Sequence, residues 1–151
     1  SSRALNPTGT TIVNGGSFVC TGNTAAIAAQ AAIALFMSNS YVRSELGNAM
    51  EIMQSGTGAT ALQVKNTSLI GQTNCVRIGT NSSPIPAGVD LKFQGCIMWV
   101  LGAGDIFQND LGVQSGNLQS INNTYNKIEA DSTNILSYNK IQIVGLQVEY
   151  R

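Results

Sequence analysis

Two pairs of carboxylates lie close enough in sequence to share chemistry: Asp105 with Asp110, and Glu129 with Asp131. Carboxylates held about 5–9 Å apart across a sugar cleave glycosidic bonds, one as acid and one as base or nucleophile. Both pairs fall in a polar stretch where loops would line a groove. Asx-turn and capping roles account for Asp105 and Asp131 without any reaction, so the expectation is a protein that does not catalyse. Other catalytic sets are out of reach. The chain has no His, which removes the Ser-His-Asp and Cys-His constellations and leaves a zinc ion only carboxylates and thiolates. Gly56-x-Gly58 and Gly102-x-Gly104 lack the third glycine of a dinucleotide fingerprint, and there is no G-K-[ST] for a nucleotide loop. Hairpin turns explain these glycines, and neither a metal nor a cofactor is expected.

Recognition by neutral groups is the other chemistry on offer. One third of the chain is Asn, Gln, Ser and Thr, while 8 basic and 8 acidic residues cancel. Sugar binding needs such donors and acceptors together with an aromatic platform. Loops between Gly102 and Asn139 are the expected contact region, because loops on a rigid scaffold carry recognition. The candidate ligand-binding residues are Asp105, Gln108, Asn109, Tyr125 and Tyr138, with the two tyrosines expected to be exposed. Trp99 belongs to an apolar run and is expected in the core. The basic residues are scattered singly, so no patch for a phosphate backbone forms and no nucleic-acid partner is expected. A net charge of zero removes colloidal repulsion and suits an assembly.

Cys20, Cys75 and Cys96 are widely spaced and odd in number. They read as buried free thiols of a protein folded in a reducing compartment. No secretory leader is evident in the first residues. The longest apolar stretch, Ala25 to Met37, falls short of the ~20 residues of a membrane span, so no transmembrane segment is expected.

The elements that would position these residues are mostly strands. Ile12-Val13 and Phe18-Val19-Cys20 flank Asn14-Gly15-Gly16, which predicts a β-hairpin. Thr24 to Met37 is Ala-rich with Thr24 as N-cap, which predicts one helix. Its bulky groups point in every direction, so it would be buried, in a large core or against copies of itself. Then Met50/Ile52, Leu62/Val64 and Val76/Ile78 recur at about 12–14 residues, as in a meander, a sandwich or a coarse β-solenoid. Pro84 and Pro86 mark an edge connection. Strict alternation places Leu91, Phe93, Ile97, Trp99 and Leu101 on one face of a strand. Lys140 to Arg151 reads as a C-terminal strand with a bulge at Gly145.

The stretch Met50–Thr80, MEIMQSGTGATALQVKNTSLIGQTNCVRIGT, resembles the Gly/Thr/Asn-punctuated strands of bacteriophage tail fibres, tailspikes and tail-needle knobs. The short length, the helix and the C-terminal strand suit a terminal knob better than a tailspike β-helix. The resemblance implies a mainly β, jelly-roll (tumour-necrosis-factor-like) sandwich with one buried N-terminal helix, spanning residues 1–151 as a single domain. It further implies a homotrimer at the tip of a fibrous shaft that would lie upstream. Its partners would be its own copies and a glycan or protein of the host surface. The expected function is non-enzymatic attachment or genome delivery in the virion tail, after synthesis in the host cytoplasm. A capsid or decoration protein and a polysaccharide-depolymerase module are the competing readings.

Overall fold

Leu35, Leu62, Leu91 and Leu118 stand in direct register on four adjacent parallel strands. Their spacing, from 35 to 62, 62 to 91 and 91 to 118, is the repeat of the fold. The computed structural model describes residues 3–29, 33–52, 61–79, 90–109, 117–126, 137–138, 141–143 and 148–150. It is a parallel β-solenoid of about three turns. The strands are β1 (Gly9–Cys20), β2 (Ile27–Ala29), β3 (Ile33–Ser44), β4 (Met50–Ile52), β5 (Ala61–Lys65), β6 (Ser68–Gly71) and β7 (Val76–Ile78). They continue with β8 (Asp90–Gln94), β9 (Ile97–Val100), β10 (Phe107–Asn109), β11 (Asn117–Ile121), β12 (Asn123–Tyr125), β13 (Ser137–Tyr138), β14 (Ile141–Ile143) and β15 (Val148–Tyr150).

Each coil contributes three walls. Wall one stacks the first half of β1, the first half of β3, then β5, β8 and β11. Wall two stacks the second halves of β1 and β3, then β6, β9 and β12. Together they belong to one 11-stranded sheet, while β2, β4, β7 and β10 form a separate four-stranded sheet, wall three. Among the described strands, only β14 with β15 pairs antiparallel.

One backbone conformation makes the corner between walls one and two. Asn39, Asn66, Gly95 and Asn122 have φ of 51, 46, 63 and 51°, and Gly15 below them has 83°. Their preceding residues Ser38, Lys65, Gln94 and Ile121 are in register, so the left-handed residues form a column. Asn and Gly are the residues that tolerate this region. In the coil of Gly95 a Cβ would lie 2.7 Å from Asn66 Oδ1, which favours Gly there. A left-handed residue also resets the inward–outward alternation. Leu35 and Met37 point inward before the corner; Ser40, Val42 and Ser44 do so after it.

The inward columns form the core. Val42, Leu69, Met98 and Tyr125 stack behind wall two, and Ile27, Met50, Val76 and Phe107 behind wall three, all at most 4% exposed. Phe107 makes edge contacts with Phe93 (5.3 Å between centroids) and Tyr125 (6.3 Å).

Just past the corner a polar column is buried: Ser40, Thr67, Cys96 and Asn123. Three of them donate back to the carbonyl two residues earlier: Ser40 Oγ to Ser38 (2.8 Å), Thr67 Oγ1 to Lys65 (2.8 Å) and Cys96 Sγ to Gln94 (3.5 Å). They give the corner carbonyls a side-chain donor; that of Gln94 also accepts the Asn66 main-chain N–H (3.0 Å). Burial raises the Cys96 thiol above its ordinary 9.0, with contacts to the backbone of Thr67 and Gln94 acting in the opposite direction. The unfolded chain therefore loses that proton first. The stability linked to this thiol is complete below pH 9.0 and declines above it. Cys96→Ser, which keeps the donor of this column, is expected to unfold within about 1 kcal/mol of the parent at neutral pH. Above pH 9 the parent should lose stability relative to the variant. Urea midpoints at neutral and alkaline pH measure both.

Several expectations are corrected. There is no jelly-roll sandwich: the strands run parallel and climb one axis. There is no helix over 24–37; that stretch holds β2 and the start of β3. Ala favours helix, but Ile27–Ala29 is held by Leu5 on one side and β4 on the other, and all three residues are buried. Parallel strands buried on both faces read as continuous apolar runs, which a helix also produces. Residues 12–20 form no hairpin, since β1 passes through its corner and pairs parallel with β3. Gly95 moves Ile97 and Leu101 outward and leaves Trp99 half-buried on the outer face, opposite in phase to Leu91 and Phe93. The C-terminal segment carries two strands, β14 and β15. The Pro84–Pro86 connection and the Gly145 bulge lie outside the described residues. Cys20, Cys75 and Cys96 are buried and free.

Candidate functional site

The five residues expected to bind ligand do not converge on one surface. Asp105 and Gln108 sit at the turn into wall three, around a buried ladder of amides. Asn74 Oδ1 accepts the Asp105 main-chain N–H (2.8 Å), and Asn74 Nδ2 donates to Gln108 Oε1 (2.5 Å) and to Asn48 Oδ1 (3.0 Å). Asn48 Nδ2 donates in turn to Glu51 Oε1 (2.7 Å). This network holds successive coils together. Asn109 ends β10. Tyr125 is fully buried, against the expectation of an exposed ring, and its hydroxyl is hydrogen-bonded to Ser120. The cause is again the parity reset: Asn122 turns Asn123 and Tyr125 inward. Tyr138 lies on β13, beside Ser120 of β11. Of the carboxylate pairs, Asp110, Glu129 and Asp131 lie outside the described residues. Among the described residues no three His, Cys, Asp or Glu side chains group as a metal site, and no helix is long and apolar enough to cross a membrane.

A different surface gathers binding chemistry: the outer face of wall one. An open cavity of about 230 Å³ lies there, lined by Ile12, Val13, Phe36, Met37, Ser38, Gln63 and Lys65. Ile12 is 76% exposed. Beside it Asn14 Oδ1 accepts from Ser38 Oγ (3.1 Å) and Asn39 Nδ2 (2.9 Å), which fixes the rim. Register extends the surface upward. Phe36, Gln63, Lys92 and Gln119 make one column, and Ser38, Lys65 and Gln94 the next. Strands repeat at ~4.8 Å, so four rungs span roughly 14 Å.

The chemistry of this grid is explicit. Phe36 and Ile12 supply an apolar floor. Gln63, Gln94 and Gln119 present amides that donate and accept. Lys65 and Lys92 add two separated cations, with Asp90 on the same outward row as Lys92. The grid runs along the axis of the coil on its outer face.

Loop-centred reasoning missed this face. Its signal was present as Ala34-Leu35-Phe36, Ala61-Leu62-Gln63, Asp90-Leu91-Lys92 and Asn117-Leu118-Gln119: a leucine followed by a polar or aromatic residue, once per coil.

No family model, curated protein or solved structure matches the chain.

Proposed function

We propose that this protein is a non-enzymatic attachment segment of a virion tail, and that it binds a linear polysaccharide of the host surface along wall one. The observation that carries the reading is the outward grid rising from the 230 Å³ cavity, with an apolar floor and an amide on each of the three rungs above Phe36. A repeating ligand suits a repeating surface. Sugar hydroxyls need neutral donors and acceptors, and the apolar face of a sugar ring packs on Phe36 and Ile12. Lys65 and Lys92 favour a polysaccharide bearing acidic groups, since opposite charges steer encounter and set orientation. Support also comes from the Gly/Thr/Asn-punctuated stretch 50–80 and its resemblance to tail-fibre and tailspike strands. The attachment reading is made for a solenoid, not a knob.

Titration calorimetry with purified acidic surface polysaccharides tests it. Phe36→Ala is expected to weaken binding by about tenfold, the effect of losing one stacking contact worth roughly 1–1.5 kcal/mol. Higher salt should weaken it further through Lys65 and Lys92. Equal affinity of Phe36→Ala and the parent would overturn the placement of the site. Absence of binding to any such polymer would overturn the function.

A further inference from the structure

Wall two presents an outer surface of another kind. Where wall one carries two lysines and three glutamines, the described outer face of wall two sets Val19, Tyr41, Ile70, Ile97 and Trp99 around Arg43, with Ser17, Ser68 and Thr124 completing the column of Tyr41 and Ile97. Val19 and Ile97 are 45% and 49% exposed. Aromatic residues and Arg without Lys are the composition of the buried centre of a protein interface.

Two charged groups on this face lack partners. Arg43 Nε is shielded from water and meets no acceptor. Glu45 is exposed and extends the line of β3, its main-chain N–H donating to the Cys20 carbonyl (2.9 Å). Alternation puts Glu45 on the same side as Arg43, and neither forms an ion pair among the described residues.

We propose that wall two docks a second copy of this chain, Arg43 of one copy meeting Glu45 of the other around an apolar centre of Val19, Ile97 and Trp99. Contact between identical surfaces requires each surface to carry both halves of every polar pair. On the described face from β1 to β12, Arg43 is the one cation and Glu45 beside it the one anion, and the whole chain has net charge zero, so copies do not repel. A strongly basic or acidic partner would find no field to match. The proposal uses a face separate from the polysaccharide grid and does not rest on that reading.

Sedimentation velocity on the full chain, across about a hundredfold range of concentration, is the test. The parent should associate. Arg43→Glu and Glu45→Arg should each raise the dissociation constant about tenfold or more, and the doubly reversed variant should regain association. Ile97→Asp, at an exposed position, should give a single-copy species with the parent's circular dichroism. A parent that stays single-copy throughout, single reversals without effect, or a folded double reversal that fails to reassociate would each overturn the proposal.

Discussion

Replacing Asn74 by Asp is expected to destabilise the fold by about 3–5 kcal/mol, more than replacing it by Ala. Asn74 is 4% exposed and joins three coils. Its Oδ1 accepts from Asp105, and its Nδ2 donates to Asn48 Oδ1 and Gln108 Oε1. In the Asp variant an oxygen faces both acceptors. Asn48 cannot turn its amide to present a donor, because its Oδ1 also accepts the Asn74 main-chain N–H (3.1 Å) while its Nδ2 is committed to Glu51. A buried carboxylate therefore confronts an oxygen that cannot rotate away. Ala merely leaves partners unfilled, at roughly 1–3 kcal/mol. The variant has its own pH signature. Burial disfavours the charged form, so the gap to the parent should narrow in acid, where the carboxyl gains a proton and regains a donor. Urea unfolding of parent, Asp and Ala variants at neutral and acidic pH supplies the comparison. An Asp variant as stable as Ala would show that the amide order is not what holds the coils.

Gly71→Ala should cost about 3 kcal/mol, although it adds only a methyl group. The turn from β6 to β7 uses four residues, 72–75, where the turns from β3 to β4 and from β9 to β10 use 45–49 and 101–106. This shortest turn draws the Asn74 carbonyl over Gly71, and a Cβ there would overlap that oxygen and crowd the Ala49 nitrogen. Those two atoms are hydrogen-bonded to each other across coils (3.3 Å), so the methyl would be a wedge in a coil-to-coil bond. Backbone on both sides leaves little room to yield. Thr73→Ala, in the same turn but exposed, should stay within about 1 kcal/mol of the parent. Combining Gly71→Ala with Asn74→Asp should cost less than the two effects added, because both displace one residue. Thermal or urea unfolding of the set provides the check.

The β-rich character of the chain, the buried thiols and the pairs Met50/Ile52, Leu62/Val64 and Val76/Ile78 were legible from residue types. The parallel, coiled topology was not. A period of 27 or 29 residues is hidden when each coil divides into three short strands of different sequence, and the apparent 12–14-residue spacing mixes neighbours with next coils. The corner residues were the larger obstacle. Asn39, Asn66 and Asn122 look like ordinary turn formers, yet each sits inside a nearly continuous strand and exchanges its inner and outer faces. That exchange puts Trp99 on the outer face, and it buries Tyr125 although its sequence neighbours are polar. Asp105 and Gln108, expected as ligand contacts, adjoin a buried polar network. Its member Asn74 carries no local signal, because its partners Asn48, Asp105 and Gln108 lie 26, 31 and 34 residues away. The wall-one grid was missed because strands were treated as scaffold and loops as function.

Stacking by nearest neighbours has a further consequence for how the molecule comes apart. A strand in the middle is clamped from two directions, whereas β1 pairs, among the described residues, with β3 alone. Strength in such a column is a local property that propagates poorly from rung to rung. Amide protons in β5 to β7 should outlast those in β1 against exchange with heavy water, grading along the axis instead of vanishing together.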